Sequence, residues 1–565
     1  MKQNIFMNDF SVFRINQTGY SAGLSVCISY LGEGTVHVTD HSGKTIREIH
    51  CLPSPVDKAS GDPVSVLNLG FLPEGRYKLE SNGFSRNISV YQNPWQSVME
   101  MMVKGLYFQR CGCDLKKEFA GIYAHPACHT APAADWENRE TVRLVTGGWH
   151  DAGDYGKYVG PGAVTVGHLL YAWKLFPDSF SRLLDIPESG NGIPDVLNET
   201  RYEVDWILKM QRPDGAFHHK LTKDHFAPFI MPQDDTDPEY LIPVSHCATA
   251  AACACLALVS RVFRDYDSDF SGNALTAALR GWKWLEENPD FIPFRNPEGV
   301  RTGWYGERTD SDDRFWAACE LFAATGKTAF RKAAEELYQD GQNLTQFGWA
   351  DVGGMGALCC LFDLRERAGT ILYSRLKSEF LRQSENAIIL SSASGYGTSL
   401  SPDHYVWGSI LPIMANAISM IMNYMMTGRE DMRDAALLQW HYAFGMNALD
   451  LCFVTGVGEK SVMHPHHRPS GSDGIDAPVP GLIVGGPNKC FPYPVHRERL
   501  GEDLPPAKYY LDELPSADTN EIAIYWNSPT VFVGAFFIMF SYFQSVTDNM
   551  RVENIQQAER KESEI

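Results

Sequence analysis

Ser245-His246-Cys247-Ala248-Thr249-Ala250-Ala251-Ala252-Cys253-Ala254-Cys255-Leu256-Ala257-Leu258-Val259-Ser260-Arg261-Val262-Phe263 is apolar nearly all round a 3.6-residue period. A helix of that kind must be packed on both sides. Helical periodicity recurs outward from it at 196–210, 274–285, 314–324, 329–338, 410–426 and 432–444. Pro- and Gly-rich loops at 145–165, 211–244, 391–408 and 455–530 separate these segments, and loops of that length on a rigid scaffold carry function. Helix, loop, helix units through 94–550 suit an all-α barrel of helical hairpins with the long loops at one end. A superhelical solenoid is the alternative.

The pattern changes at Asn93-Pro94-Trp95. Residues 1–93 are short alternating runs at 13–16, 25–30, 35–39, 77–80 and 87–91, broken by Gly32-Glu33-Gly34, His41-Ser42-Gly43 and Pro73-Glu74-Gly75, the spacing of a β-sandwich. Residues 551–565 form a polar tail.

Subtracting 69 Asp and Glu from 49 Lys and Arg leaves −20, a field that repels nucleic acid and anionic lipid. No nucleic-acid or membrane partner is therefore expected, and oligomeric state is not legible. The apolar run 531–543 is shorter than the roughly 20 residues of a spanning helix and is read as a buried one. Asn4, Asn8 and Asp9 interrupt the apolar core that a secretory signal needs, so a cytoplasmic location is expected. In that setting thirteen cysteines favour thiols or metal ligands over disulfides.

Five constellations can carry chemistry. In Gly147-Gly148-Trp149-His150-Asp151-Ala152-Gly153-Asp154-Tyr155, two carboxylates three residues apart can converge on a water, one taking its proton while the other orients it; a solvated turn or calcium loop is the alternative. Glu521 stands beside an apolar run and near Asp512 and Asp518, all of which raise a carboxyl pKa. Paired with Asp154 it supplies the acid and base of glycoside hydrolysis, against the alternative of a helix-terminal charge. His464-Pro465-His466-His467-Arg468 offers donors to sugar hydroxyls, or a histidine-rich metal site. Cys111, Cys128, His129 and His150 make up a closed tetrahedral zinc set, with Cys113 as a rival ligand and chance placement as the alternative. Four protein ligands leave no open position, so such a site is structural and a zinc hydrolase is excluded. Asp312 and Asp313, with Asp351 further on, are candidates for calcium or a solvated acidic loop.

The 147–158 loop, His466-His467-Arg468, and Asn520-Glu521 followed by Asn527 together resemble glycoside hydrolase family 9, the cellulase family of inverting enzymes. The stretch from Phe13 to Tyr20 resembles the opening of the immunoglobulin-like domain that precedes the barrel in one branch of it. The resemblance implies an N-terminal immunoglobulin-like β-sandwich followed by an (α/α)6 barrel. It implies Asp154 as general base, Asp151 as its partner on the water, Glu521 as general acid, and His466 and Arg468 as sugar contacts. It also implies zinc on Cys111, Cys128, His129 and His150, and calcium near Asp312, Asp313 and Asp351. Trp149, Tyr155, Trp407 and Tyr525 are candidates to contact or stack on a sugar ring. Ala517 departs from the family's usual aromatic four residues before the glutamate, and Cys452 from its usual small hydroxyl or valine. The expectation is an inverting, exo-acting β-1,4-glycosidase of imported cello- or glucosamine oligosaccharides. An endo-β-1,4-glucanase and an inactive oligosaccharide-binding protein are the alternatives.

Overall fold

The computed structural model describes residues 11–339 and 341–542; the polar tail expected at 551–565 lies outside them. The first part is a β-sandwich. One sheet has Cys27–Tyr30 between Phe13–Arg14 and Ser65–Asn68; the other runs Tyr20–Ser21, Phe84–Tyr91, Gly75–Ser81, Gly34–Asp40, Thr45–Cys51. Alternation puts Val26, Ile28, Val36, Val38, Leu79, Ile88 and Val90 between the sheets. The hairpin between Gly75–Ser81 and Phe84–Tyr91 turns on Asn82 and Gly83, both at positive φ, which suits the right-handed twist of the strands.

From Gln96 onward the chain is mostly helical, as the periodicity predicts. Helices buried on nearly every face alternate with partners that bury one stripe: His246–Val262 is buried almost throughout, whereas its neighbour Ser268–Glu287 buries Phe270, Ala274, Ala277, Ala278, Gly281 and Leu285. Two helices absent from the sequence reading are Gln96–Tyr107 and the 24-residue Thr370–Ala393. A third, Val159–Leu175, begins inside the stretch read as loop 145–165. Its Gly160, Pro161 and Gly162 disguise it, although Pro is tolerated in a first turn. A Cβ on Gly162 would stand 2.3 Å from a Glu203 oxygen, so close packing explains that glycine. The stretch 211–244 is likewise not all loop: Lys220–Thr222 and Tyr240–Leu241 join Lys157–Tyr158, Ala133–Asp135 and Val142–Arg143 in a five-stranded sheet. Residues 531–542 of the apolar run lie in the helix Ile524–Tyr542, long and apolar enough to cross a membrane but 89% buried in the fold, like His246–Asp265 at 94%; residue 543 lies outside the described residues.

Candidate active site

Three segments distant in sequence are stitched together by backbone hydrogen bonds. Ile524 N–H donates to Asp151 O (2.9 Å), His466 N–H to Asn520 O (2.8 Å), and Arg468 N–H to Gly153 O (3.0 Å). Gly153 has no room for a side chain, since a Cβ would lie 1.9 Å from His466 O. Gln109 ties the loop from the other side, its Nε2 donating to the carbonyls of His150 and Ala152 (both 3.1 Å). Trp149 N–H donates to Glu203 (2.6 Å).

Asp154 and Glu521 both line an open groove of about 590 Å³, with His466, Arg468, Trp407 and Tyr525. Burial, then the charges of Asp154 and Asp151, hold the Glu521 carboxyl well above the usual range, against the pull of Arg468 and the Gly153 N–H. Asp151 is buried and likewise raised by desolvation and Asp154, with the Tyr305 hydroxyl opposing. Its Oδ2 accepts from that hydroxyl at 2.5 Å while Oδ1 has no partner. Because Tyr305 spends its one proton on Asp151, the 3.2 Å contact between Tyr305 and Tyr525 makes Tyr525 the donor. One oxygen of Asp154 accepts from Gly156 N–H (2.5 Å).

His466 donates Nδ1–H to Leu514 O (2.7 Å), and burial lowers its pKa, so the ring is neutral and Nε2 is an acceptor. Arg468 is held by Ala227 O and Gly153 O (2.8 and 2.9 Å). His467 is buried and bonds Gln109 Oε1 and the Ser470 hydroxyl (both 2.9 Å), so the histidine run is not a metal cluster.

Two expectations need correcting. Trp149 is buried, its indole N–H donating to Glu199 (2.8 Å), and does not reach the groove. Tyr155 packs on His129 and His150 and donates to Ile230 O (2.6 Å), lining instead a small cavity that Asp154 also lines. Tyr158, Trp304, Tyr305, Trp349 and Tyr493 do line the groove and were missed. For Trp304, Tyr305 and Trp349 the one available signal is Gly beside aromatic in a connection, as in Gly303-Trp304-Tyr305-Gly306 and Gly348-Trp349. Tyr305 even adopts positive φ, a strained backbone for an aromatic residue.

Cys111, Cys128, His129 and His150 come together with ligand atoms all within 4.8 Å of one another; Cys113 is not among them. His129 Nε2 bonds Asp235 (3.1 Å), leaving Nδ1 buried without a partner. A carboxylate behind a histidine whose other nitrogen is orphaned is the arrangement of a metal ligand, and two thiols with two imidazoles fit zinc. Around the acidic segment, Asp313 meets Glu307 and Cys247 rather than forming one compact set with Asp312 and Asp351. Asp312 and Asp351 each give an oxygen to a backbone N–H, of Val352 (2.8 Å) and Gly353 (3.1 Å). Glu307 and Asp313 each keep a buried oxygen without a partner, a gap that a hard cation fits.

Residues 95–534 match the family described as glycosyl hydrolase family 9. The chain is similar to the cellodextrinase of Butyrivibrio fibrisolvens, 37% identical over 88% of this chain and 93% of that one. It superposes on AaCel9A in complex with cellobiose-like isofagomine with a TM-score of 0.88, at 32% identity over 94% of this chain and 100% of that one. On the zinc-binding triple mutant of glycoside hydrolase family 9 endoglucanase J30 the TM-score is 0.86, at 31% identity over 92% and 99%.

Proposed function

The chain belongs to glycosyl hydrolase family 9 and is a β-1,4-glycoside hydrolase; from that premise we propose that it inverts the anomeric carbon of cello-oligosaccharides, with Glu521 as acid and Asp154 as base. The observation that carries this reading is one groove lined by both Asp154 and Glu521, the latter a carboxyl whose pKa burial raises, with the buried Asp151 three residues before Asp154. Glu521 donates its proton to the bridging oxygen as the bond to the sugar breaks. Asp154 takes a proton from a water on the opposite face, and that water's oxygen bonds the anomeric carbon. Asp151, fixed through Tyr305, offers Oδ1 to the same water.

Glucosyl units are favoured over glucosamine. The acidic side chains lining the groove among the described residues are Asp154 and Glu521, which the chemistry uses, and Arg468 beside them is a cation. None is left to pair with an ammonium. Trp407 and Tyr493, perpendicular to each other at 5.6 Å, offer faces to a neutral sugar. The B. fibrisolvens relative, a cellodextrinase, supports short soluble substrates.

The alternation of wholly and half-buried helices supports an (α/α)6 barrel, and the sandwich before it an immunoglobulin-like domain. Cys111, Cys128, His129 and His150 would hold zinc, which supplies a cross-link that steadies the loop carrying Asp151 and Asp154. Elemental analysis of purified protein should find one zinc per chain, and none in Cys128→Ala. Glu307 and Asp313, each with a buried oxygen left without a partner, would hold calcium.

Proton NMR of cellotetraose turnover tests the mechanism. The first reducing end released should be the α-anomer, and Glu521→Gln or Asp154→Asn should lower kcat at least a hundredfold. An initial β-anomer overturns the water mechanism. In the same run, release of end units shows exo action, and cleavage at internal bonds shows endo action.

A further inference from the structure

A second cleft, of about 660 Å³, opens beside the groove and shares Leu411 with it as a common wall. It lies among the connection 341–346, the helix Thr370–Ala393 and the start of the helix Ile410–Thr427. Its chemistry is that of neutral amides and hydroxyls over an apolar floor. Gln346 and Asn386 make no side-chain hydrogen bond within the described residues. Asn416 spends its N–H on Ser399 O (2.9 Å) and keeps Oδ1 open. Ser399 is fully buried, yet its Oγ has no partner. A buried hydroxyl is costly until a ligand or water completes it. Arg382, the one Lys, Arg, Asp or Glu among the described lining residues, is bound to Glu379 (2.9 Å).

We propose that this cleft is a second glucan-binding site, taking the uncharged β-1,4-linked units of a chain whose other end occupies the groove. An anion would need a free cation here, and a metal would need carboxylates; the cleft offers neither. Sugar hydroxyls donate and accept at once, which is what carboxamides and a serine hydroxyl answer. The wall shared with a sugar-cleaving groove favours the same polymer in both. The proposal rests on the β-1,4-glucan reading above.

The test compares cellohexaose with cellotriose in wild type and in Gln346→Ala/Asn386→Ala. The ratio of kcat/KM for the long substrate over the short should fall about five- to tenfold, the factor expected for two lost hydrogen bonds. In the Glu521→Gln background the Kd for cellohexaose should rise by a similar factor. Asn386→Asp, which places a charge in the cleft without removing bulk, should lower the ratio too. An unchanged ratio overturns the proposal, as does an equal loss on both substrates, which would mean that the residues act through the groove or the fold. A wild-type protein that cleaves neither sugar overturns the glucanase reading, and the cleft proposal falls with it.

Discussion

Tyr305 donates its only hydroxyl proton to Asp151, so Tyr305→Phe removes a bond to a carboxylate that, in the proposed mechanism, must be ionised to hold the water. The loss should cost about ten- to hundredfold in kcat. The direction in pH is also fixed. Burial raises the Asp151 pKa and the hydroxyl opposes it; activity that needs the ionised form is present above that pKa and lost as pH falls through it. Without the hydroxyl, the acidic limb of the kcat profile moves to higher pH; an unmoved limb would refute the link. Asp151, Asp154 and Glu521 were legible because glycines and local charge mark them in the chain. Tyr305, Trp304 and Trp349 were not, because an aromatic residue in a connection has no period, and only the neighbours it meets decide whether it is core or groove. Trp149 shows the same ambiguity resolved the other way, its indole spent on Glu199.

The 147–158 loop is held by the helix Asp195–Lys209, whose Glu203 accepts the Trp149 N–H. Burial lifts the Glu203 carboxyl to about 8, against the Trp149 N–H and Lys157. The folded state then binds a proton that the unfolded chain has lost above about 4.5. This contribution to stability is complete at low pH and is lost as pH rises through the folded pKa. Glu203→Gln keeps the acceptor and removes the titration, so Tm should fall less between pH 5 and 8 than in wild type, as a melting series would show. The helix Val159–Leu175 was hidden in the sequence for a related reason. Its Gly160, Pro161, Gly162 and Gly167 have poor helix propensity, and the close packing of Gly162 on Glu203 and of Gly167 on Met355 and Trp316 outweighs it.

The sandwich and the helical part are joined through polar contacts that run from buried to exposed. Asn16 bonds His441 (2.9 Å), Gln17 Oε1 accepts the N–H groups of Glu459 and Lys460 (2.9 and 2.8 Å), and Arg86 grips Asp450 (2.7 Å). Arg86→Ala leaves Asp450 without its partner at a mostly buried joint, and should cost about 3 kcal/mol. A Tm equal to that of wild type would refute the joint's role. At this scale, local pattern already determined a β domain followed by helices, because strand alternation and all-round apolar helices are written residue by residue. It also marked Asp151, Asp154 and Glu521 as candidates, and brought Cys111, Cys128, His129 and His150 forward as one set, since each belongs to a short run with distinctive chemistry. Tertiary structure alone decided which aromatics line the groove, that Glu307 joins Asp313, and that an amide-lined cleft adjoins the groove. Those placements depend on segments far apart in sequence meeting, and burial, distance and unspent hydrogen bonds exist only once they have met.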